Sequence, residues 1–171
     1  MTVRDATEED LPAIVAIYNE SIPAGKATAD LVPVTVESRR AWFQDFDPGR
    51  RPCWVAEEDG RVVGCVYLRS FYAGRPAYDK TAEISTYLTA DYQGRGLGTE
   101  LKKRMIAECP RLGVENLLSF YFDHNEASRR VNEKLGFVDA AHLTGIAEVY
   151  GEKRDLVIAI LRIGPDGEDR G

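Results

Sequence analysis

Three alternating glycines stand where an extended segment of the chain passes into a helical one. The segment is Gln93-Gly94-Arg95-Gly96-Leu97-Gly98; an apolar extended run from Ile84 to Leu88 precedes it, and a helical pattern begins at about Leu97. Main-chain amides with no side chains around them can converge on an anion, and the positive end of the helix dipole adds to the attraction. The segment therefore predicts a strand, a glycine turn and a helix that bind a pyrophosphate group, with an ordinary tight turn as the alternative.

Two common phosphate-binding loops do not fit this segment. A P-loop carries Gly-Lys-Ser/Thr at the helix start, where this chain has Leu97-Gly98-Thr99. The dinucleotide fingerprint has Gly or Ala at its sixth position, which is Thr99 when the count begins at Gly94. That fingerprint also follows its strand directly, whereas residues 89–93 intervene here. Both loop classes are therefore set aside.

The length and composition suit one domain with a full apolar core. The chain has 171 residues, of which 44% are hydrophobic, and its net charge of -6 argues against nucleic acid as a partner. We find no signal segment and no apolar run long enough to cross a bilayer, so a cytoplasmic protein without a membrane partner is expected. Residues 1–163 are expected to form the domain, and the polar, glycine-rich residues 164–171 a disordered tail.

Cysteine and histidine contents leave little room for a metal site. Cys53, Cys65 and Cys109 are an odd set without metal-ligand spacing, and we interpret them as reduced core residues. His124 and His142 are the only histidines in the chain. No metal site is therefore predicted.

Apolar periodicity and turn signals predict a single α/β domain. The predicted order is one strand, two helices, three strands, a helix, a strand, a helix and two strands, with Asp59-Gly60 as a two-residue hairpin turn. This order indicates a mixed, mostly antiparallel central sheet with helices on both faces. The predicted strands cover residues 2–6, 53–57, 62–71, 80–89, 117–122, 137–141 and 155–163; the predicted helices cover 8–22, 36–46, 97–109 and 125–135.

The helix that follows the glycine turn has an apolar and a charged set of residues. The apolar set is expected to face the core and consists of Leu97, Leu101, Met105 and Ile106. The charged set is expected to face solvent and consists of Lys102, Lys103 and Arg104.

Two motifs make the chain resemble the Gcn5-related N-acetyltransferase superfamily. The pyrophosphate motif of that superfamily, Gln/Arg-x-x-Gly-x-Gly/Ala, is matched by Gln93, Gly96 and Gly98. A second block, made of residues 125–128 and 133–137, resembles the helix and strand that follow in the family. The resemblance covers roughly residues 2–163 and is nearest to the phosphinothricin-acetyltransferase-like branch, through the stretches 5–18, 35–42, 75–78 and 83–89.

The resemblance implies acetyl-coenzyme A as the cofactor. In the family, the strand before the glycine turn bulges and splays from its neighbour, and the pantetheine arm pairs with its exposed backbone. Asn125 matches a position that hydrogen-bonds this arm, although a simple helix cap would explain the residue equally well. Arg95 is either a phosphate contact or a solvated turn residue. The residues implied to contact the cofactor are Thr86, Tyr87, Leu88, Gln93, Gly94, Arg95, Gly96, Leu97, Gly98, Thr99, Asn125 and Asn132.

Glu83 is the predicted catalytic base. Acetyl transfer to an amine requires that the ammonium group lose a proton, and Glu83 lies in an otherwise apolar strand segment, Ala82-Glu83-Ile84. The residue also matches the carboxylate assigned as the base in the phosphinothricin branch. Burial would raise its pKa toward neutrality, as a base at neutral pH needs. The alternative is a glutamate on the solvent face of a strand.

Asn132 departs from the family pattern. Many members place Tyr there, and this branch often places His, as the acid that protonates the leaving thiolate. An amide cannot supply that proton, but a thiol with a pKa near ~8.5 leaves readily without one. Water, Tyr121 or Tyr150 would then protonate the sulfur. The departure also keeps open a second function, that of a non-catalytic acyl-coenzyme A-binding sensor.

The resemblance implies that the acceptor is a small primary amine, an amino acid or an analogue of the phosphinothricin or methionine-sulfone type. Its pocket is expected between the loops 23–33 and 72–78. There Arg75 would hold a carboxylate, while Phe71 and Tyr78 would form an apolar wall. An exposed loop arginine and ordinary core aromatics are the alternatives. The resemblance also implies a homodimer.

Overall fold

The computed structural model describes residues 1–164, in which seven strands form one sheet with the order β1-β2-β3-β4-β5-β7-β6. Residues 165–171 of the predicted tail lie outside the described residues. The strands are β1 (Thr2–Asp5), β2 (Cys53–Glu58), β3 (Arg61–Ser70), β4 (Thr81–Leu88), β5 (Asn116–Phe122), β6 (Val138–Val149) and β7 (Glu152–Arg162). The helices are α1 (Leu11–Ser21), α2 (Val36–Gln44), α3 (Leu97–Glu108) and α4 (Glu126–Lys134).

The sheet is mixed and mostly antiparallel, as predicted. Only β4 and β5 pair in parallel, and α3 provides the crossover that a parallel connection requires. The predicted hairpin between β2 and β3 is present. Asp59 and Gly60 both have positive φ, 51° and 76°, which matches a two-residue turn whose twist suits the flanking strands.

Helices cover both faces of the sheet and divide the core in two. On one face α1 and α2 pack on alternate residues of β2 and β3, including Val55, Cys65 and Tyr67. On the other face α3 packs through Leu101 and Met105 against β3, β4, β5 and β7. The pleat therefore sends Ala82 and Ile84 of β4 toward α3 and the intervening Glu83 toward the α1 and α2 side.

The prediction for β6 was too short. The expected strand ended at Ala141, whereas the observed strand continues to Val149 and pairs with β7 along almost its whole length. β6 is an edge strand with most side chains exposed, so it lacks the alternation of apolar and polar residues that marks a half-buried strand. Two register shifts, after Asp139 and after Leu143, interrupt the pattern further.

The prediction that Lys102 faces solvent was wrong. Lys102 is only 7% exposed, whereas Arg104 lies on the outer face and pairs with Glu100 across 2.8 Å. Residues spaced four, three and four apart lie on the same face of a helix. Lys102 lies on the inward face of α3 with this spacing, together with Gly98, Met105 and Cys109.

None of the helices within residues 1–164 is long and apolar enough to cross a membrane. Within the same range, no group of three or more His, Cys, Asp or Glu side chains is arranged to hold a metal ion. Cys53, Cys65 and Cys109 are buried free thiols.

Candidate active site

The glycine turn joins the end of β4 to α3 as the sequence predicted. Gly94 and Gly96 have φ of 72° and 86°, in the left-handed region that favours glycine, and Gly96 caps the N-terminus of α3. A Cβ at either residue would meet nothing within 4 Å, so both face open space. Nε2 of Gln93 donates to the carbonyl oxygen of Leu88 across 3.2 Å and ties the turn to the strand end.

The backbone amides of this turn are free to bind an anion. Among residues 1–164, no acceptor bonds the main-chain nitrogens of residues 94–99; the first helical bond runs from the amide of Glu100 to the carbonyl of Gly96. The side chain of Leu97 is buried in the core, so only its amide is available. The Arg95 guanidinium lies exposed over the Tyr92 ring, 5.3 Å from its centroid. Six consecutive amides at a helix N-terminus form the cradle that a diphosphate requires.

β4 and β5 separate beyond their third residue pair. The parallel pairing covers Thr81–Asn116, Ala82–Leu117 and Glu83–Leu118 and then stops, although β4 continues to Leu88. On its other edge β4 pairs with β3 without a register shift from Ala82 to Leu88, so the expected splay is present and the expected bulge is not. Residues 84–88 therefore have a free backbone edge that faces a cleft, which we call the split.

The split and the cradle fit acetyl-coenzyme A. Oγ1 of Thr86 is buried and has no hydrogen-bond partner among the described residues, and it lies in the unpaired part of β4. A Cβ on Gly98 would lie 3.5 Å from Leu88 and 4.0 Å from Thr86, which places the cradle beside the split. The free strand edge suits a peptide-like arm, and the cradle suits the diphosphate at its end.

Glu83 lies at the point where the split begins. Its side chain is half-buried, and burial raises the pKa of the carboxyl group above its ordinary value. Arg69, the residue opposite on β3, acts in the other direction and lowers the pKa. A carboxylate that holds its proton more tightly than usual is a better base near neutral pH.

Asn125 acts as the cap of α4, which was one of its two predicted roles. Its Oδ1 accepts from the amide of Ser128 across 3.1 Å, and its Nδ2 donates to the carbonyl of Lys26 across 3.1 Å. The second bond ties α4 to the loop that follows α1. His124 contacts the same loop, with 3.0 Å between Nε2 and the carbonyl oxygen of Gly25.

Asn132 is buried beside Lys102 and Ser119, and we call these three residues the buried lysine cluster. Nζ of Lys102 donates to Oδ1 of Asn132 across 2.9 Å and to Oγ of Ser119 across 3.3 Å. Nδ2 of Asn132 donates to the same Oγ across 3.1 Å. Burial alone lowers the pKa of Lys102 to about 8.

The loop between β3 and β4 collects the predicted acceptor-binding residues. Phe71 follows Ser70, which pairs with Ala82, so the loop begins beside Glu83. Phe71 and Tyr78 pack edge to face, with ring centroids 5.2 Å apart, and Tyr78 is 40% exposed. Arg75 is exposed, stacks on Tyr72 and has no carboxylate partner in the part of the chain that the structure describes.

A small cavity lies on the α1 and α2 side of β3 and β4. Its volume is about 20 Å³, and Tyr18, Trp42 and Tyr87 contribute its aromatic walls. The hydroxyl of Tyr87 reaches the loop after α1 and donates to the carbonyl of Ala27 across 3.3 Å. The sequence prediction did not include this cavity, because its residues come from four separate elements.

Comparison with known proteins identifies the family of this fold. Residues 1–138 match the Acetyltransferase (GNAT) domain family. The chain is also 43% identical to the Bacillus subtilis protein YwnH over 159 residues, which cover 92% of this chain and 96% of YwnH.

The chain belongs to the GNAT acetyltransferase family. It is 30% identical to the L-methionine sulfoximine/L-methionine sulfone acetyltransferase of Pseudomonas aeruginosa over 167 residues, 96% of this chain and 95% of that protein. The predicted resemblance to the phosphinothricin-acetyltransferase-like branch of GNAT is thereby confirmed, as is the prediction of an N-acetyltransferase. The sensor alternative is set aside.

Acetyl-coenzyme A is the cofactor that this GNAT fold binds. The crystal structure of a GNAT phosphinothricin acetyltransferase from Sinorhizobium meliloti in complex with acetyl-coenzyme A superposes with a TM-score of 0.89. Sequence identity is 27%, and the match covers 95% of this chain and 88% of that one. The predicted cofactor is confirmed, while the residues that contact it in this chain remain predictions.

Sequence reasoning missed two buried polar residues of the GNAT site region, Lys102 and Ser119. Ser119 follows Leu118, so it is the first β5 residue inside the split. The helical spacing of Lys102 with Met105 and Cys109 was a signal that could have placed it inside. No sequence signal distinguishes Ser119 as a site residue, because single serines are common in the apolar strands of protein cores.

Proposed function

We propose that residues 1–163 form an N-acetyltransferase domain that acetylates the primary amine of an amino acid or amino-acid analogue of the phosphinothricin or methionine-sulfone type. The observation that carries this proposal is the position of Glu83, a half-buried carboxylate at the last residue pair before the split. The acceptors named for the Pseudomonas aeruginosa relative support the substrate class.

Glu83 takes the proton that the acceptor's ammonium group must lose before its nitrogen can attack. A free amine is the nucleophile, so the base has to hold the proton at the pH at which the enzyme works. Burial raises the pKa of Glu83, which suits this role, and Arg69 acts against the rise.

The cofactor is held by main chain more than by side chains. The amides of residues 94–99 hold the diphosphate, with Gln93 securing the turn and Arg95 at its outer side. Residues 86–88 hold the pantetheine arm through their free backbone edge, as an added strand would be held. Asn125, the N-cap of α4, and Asn132, within α4, are the further cofactor contacts in this proposal. When bound, the cofactor supplies the activated acetyl group.

Arg75 binds the acceptor's carboxylate, and Phe71 and Tyr78 form the apolar wall beside it. The Arg75 guanidinium carries no ion pair that an acceptor would have to displace, among the residues described. A guanidinium fork matches a carboxylate in two parallel hydrogen bonds. The assignment is supported by the start of this loop, since Phe71 follows Ser70, which pairs with Ala82 beside Glu83.

A screen of acceptors tests the proposal. Purified protein with acetyl-coenzyme A is assayed for thiol release with phosphinothricin, methionine sulfone, methionine sulfoximine, the common amino acids, and amines that lack a carboxylate. We expect turnover with the analogues and little with simple amines. Tight acetyl-coenzyme A binding with no turnover on any of these acceptors would contradict the proposed substrate class.

We also propose that the enzyme works as a homodimer in the cytoplasm. Large apolar side chains lie exposed along β6, namely Val138, Leu143 and Ile146, and exposed apolar surface of this kind is typical of subunit interfaces. Three buried free thiols suit a reducing compartment. Light scattering tests the dimer, and a monomer mass at micromolar concentration would contradict it.

A further inference from the structure

The buried lysine cluster is unusual because, among the described residues, it holds a cation and no anion. Lys102 has no carboxylate within 4 Å among residues 1–164, although it is a lysine 7% exposed. Its recorded neighbours are Asn132, Ser119 and the Phe137 ring, whose centroid lies 5.8 Å from Nζ, and all three are uncharged. Burying an ammonium group without an anion lowers the stability of the folded protein. We therefore expect Lys102 to have a functional role.

Counting donors shows what the cluster can still bind. An ammonium group only donates, so the Asn132 amide must turn its oxygen toward Lys102 and its nitrogen away. One N–H of that nitrogen is used by Oγ of Ser119, and the other has no acceptor among the described residues. Oγ of Ser119 accepts from both Lys102 and Asn132, which leaves its own proton to donate. The third N–H of Lys102 also has no acceptor among the described residues, so three free donors and a cation make a site for an anion.

The cluster and Glu83 lie close to the same point in the sheet, where β4 and β5 separate. Glu83 pairs with Leu118, and Ser119 is the next residue of β5. Glu83 lies on the α1 and α2 side of the sheet, whereas Ser119 is buried with Lys102 of α3 and Asn132 of α4 on the other side. The base and the cluster therefore border the start of the split from opposite faces.

We propose that the buried lysine cluster receives the coenzyme A sulfur as a thiolate, with Lys102 as a positioning residue that acts through Asn132 and Ser119. This inference rests on the proposed function. In the transfer, the amine that Glu83 has already deprotonated forms a bond to the acetyl carbon, and its nitrogen gives up a second proton to solvent. The carbon–sulfur bond breaks and the sulfur keeps the electron pair. The cluster stabilises that negative charge by hydrogen bonds and a fixed positive charge, and solvent later supplies the proton.

This arrangement accounts for a site without a side-chain acid at position 132. The two tyrosines considered as acids are occupied: Tyr121 donates to Oδ1 of Asp139 across 2.8 Å, and Tyr150 donates to the carbonyl of Ile22 across 2.9 Å. Burial raises the pKa of Tyr121 to about 12, which makes it a poor acid. A thiolate that is stabilised directly does not need an acid to leave.

The test measures the thiol pKa of coenzyme A bound to the protein, from the ultraviolet absorbance of the thiolate as pH is raised. We compare the wild type with Lys102→Met, which keeps the side-chain length and removes the charge. Lys103→Met is the matched control, because Lys103 is the next residue of α3 and is exposed. A cation within ~4–6 Å of an acid lowers the pKa of that acid by about one unit or more. In the wild type and in Lys103→Met, we expect the pKa of the bound coenzyme A thiol to lie below the value of ~8.5 for a free thiol. In Lys102→Met, the proton affinity of the bound thiolate should be at least about tenfold higher than in the wild type.

Asn132→Leu provides a second variant in case Lys102→Met folds poorly. It removes the free N–H while Lys102 remains, and it should also raise the thiol pKa. Equal thiol pKa values in the wild type, Asn132→Leu and Lys103→Met would overturn the inference. If the wild type does not bind coenzyme A, both this inference and the proposed function are overturned. A measurable thiol pKa that no variant changes would overturn the inference alone.

Discussion

Glu83 and Leu118 form the last residue pair of the parallel ladder between β4 and β5. Beyond this pair the two strands diverge, so a half-buried carboxylate stands at the closed end of a cleft whose wall is an unpaired strand edge. The cradle of free amides lies at the other end of the same strand. The distance between base and cradle is therefore set by the length of β4 from Glu83 to Leu88.

Replacing the carboxylate at this closed end tests the predicted base. Glu83→Gln keeps the size of the side chain and removes its basicity, so we expect kcat to fall by about 10²–10⁴-fold. Because burial raises the pKa of Glu83, wild-type kcat should rise with pH through a value above that of an ordinary glutamate, and the variant should lose this limb.

The control for this prediction is the affinity for acetyl-coenzyme A, measured by calorimetry. It should be unchanged in Glu83→Gln, since no cofactor contact is assigned to this side chain. Glu148→Gln, at an exposed position on β6, should match the wild type in both affinity and kcat. An unaltered pH profile in Glu83→Gln would show that another group is the base.

A pair of glycine substitutions separates backbone strain from cofactor binding. Gly96 and Gly113 have φ of 86° and 70°, and a Cβ at either would meet nothing within 4 Å. An alanine at either position must adopt the left-handed conformation, which disfavours a Cβ. Each substitution should therefore lower the free energy of unfolding by a similar ~1–2 kcal/mol. Only Gly96→Ala places a methyl group in the cradle, so only this variant should weaken acetyl-coenzyme A binding beyond about tenfold. Equal affinities in the two variants would contradict the cradle.

Arg75→Ala tests how the acceptor is recognised. A charge-assisted pair to a carboxylate contributes about 1.5–3 kcal/mol, so kcat/KM for an amino-acid acceptor should fall about 10–150-fold. The same substitution should leave kcat/KM unchanged for an amine that lacks the carboxylate. Parallel losses with both acceptors would show that Arg75 shapes the loop and does not bind the carboxylate.

The burial of Lys102 should make the free energy of unfolding depend on pH. The pKa of Lys102 is about 8 in the folded protein and about 10.5 when unfolded, so the unfolded state binds more protons between these values. Below pH 8 both states are protonated and the burial cost is fully present; as pH rises toward 10.5 the cost disappears. The free energy of unfolding of the wild type should therefore gain about 3 kcal/mol over this range relative to Lys102→Met.

Urea unfolding at several pH values between 7 and 10.5 measures this difference. The other titrating groups contribute equally to both proteins and cancel when the two are subtracted. Lys103→Met supplies the baseline, because the difference between it and the wild type should not change with pH. A constant difference between Lys102→Met and the wild type would mean that Lys102 is not desolvated in the folded protein.

The amino-acid sequence alone determined the cradle, the candidate base and the order of the elements. The cradle is local: Gly94 and Gly96 are needed where φ is positive, and the strand, turn and helix around them are contiguous in the chain. The helix caps and the Asp59-Gly60 turn are local for the same reason. Local conformational preferences act on neighbours in the sequence, so they can be recognised without knowing the fold.

The tertiary structure decided where the split begins, how far β6 extends and how the buried lysine cluster is assembled. β5 continues its pairing with β7 as far as Phe122, while its pairing with β4 ends at Leu118, and no pattern in either strand announces the difference. Lys102, Ser119 and Asn132 belong to α3, β5 and α4, which meet only in the folded protein. Whether a lysine on a helix faces water or the core depends on what packs against that helix, and this is a property of residues distant in the chain.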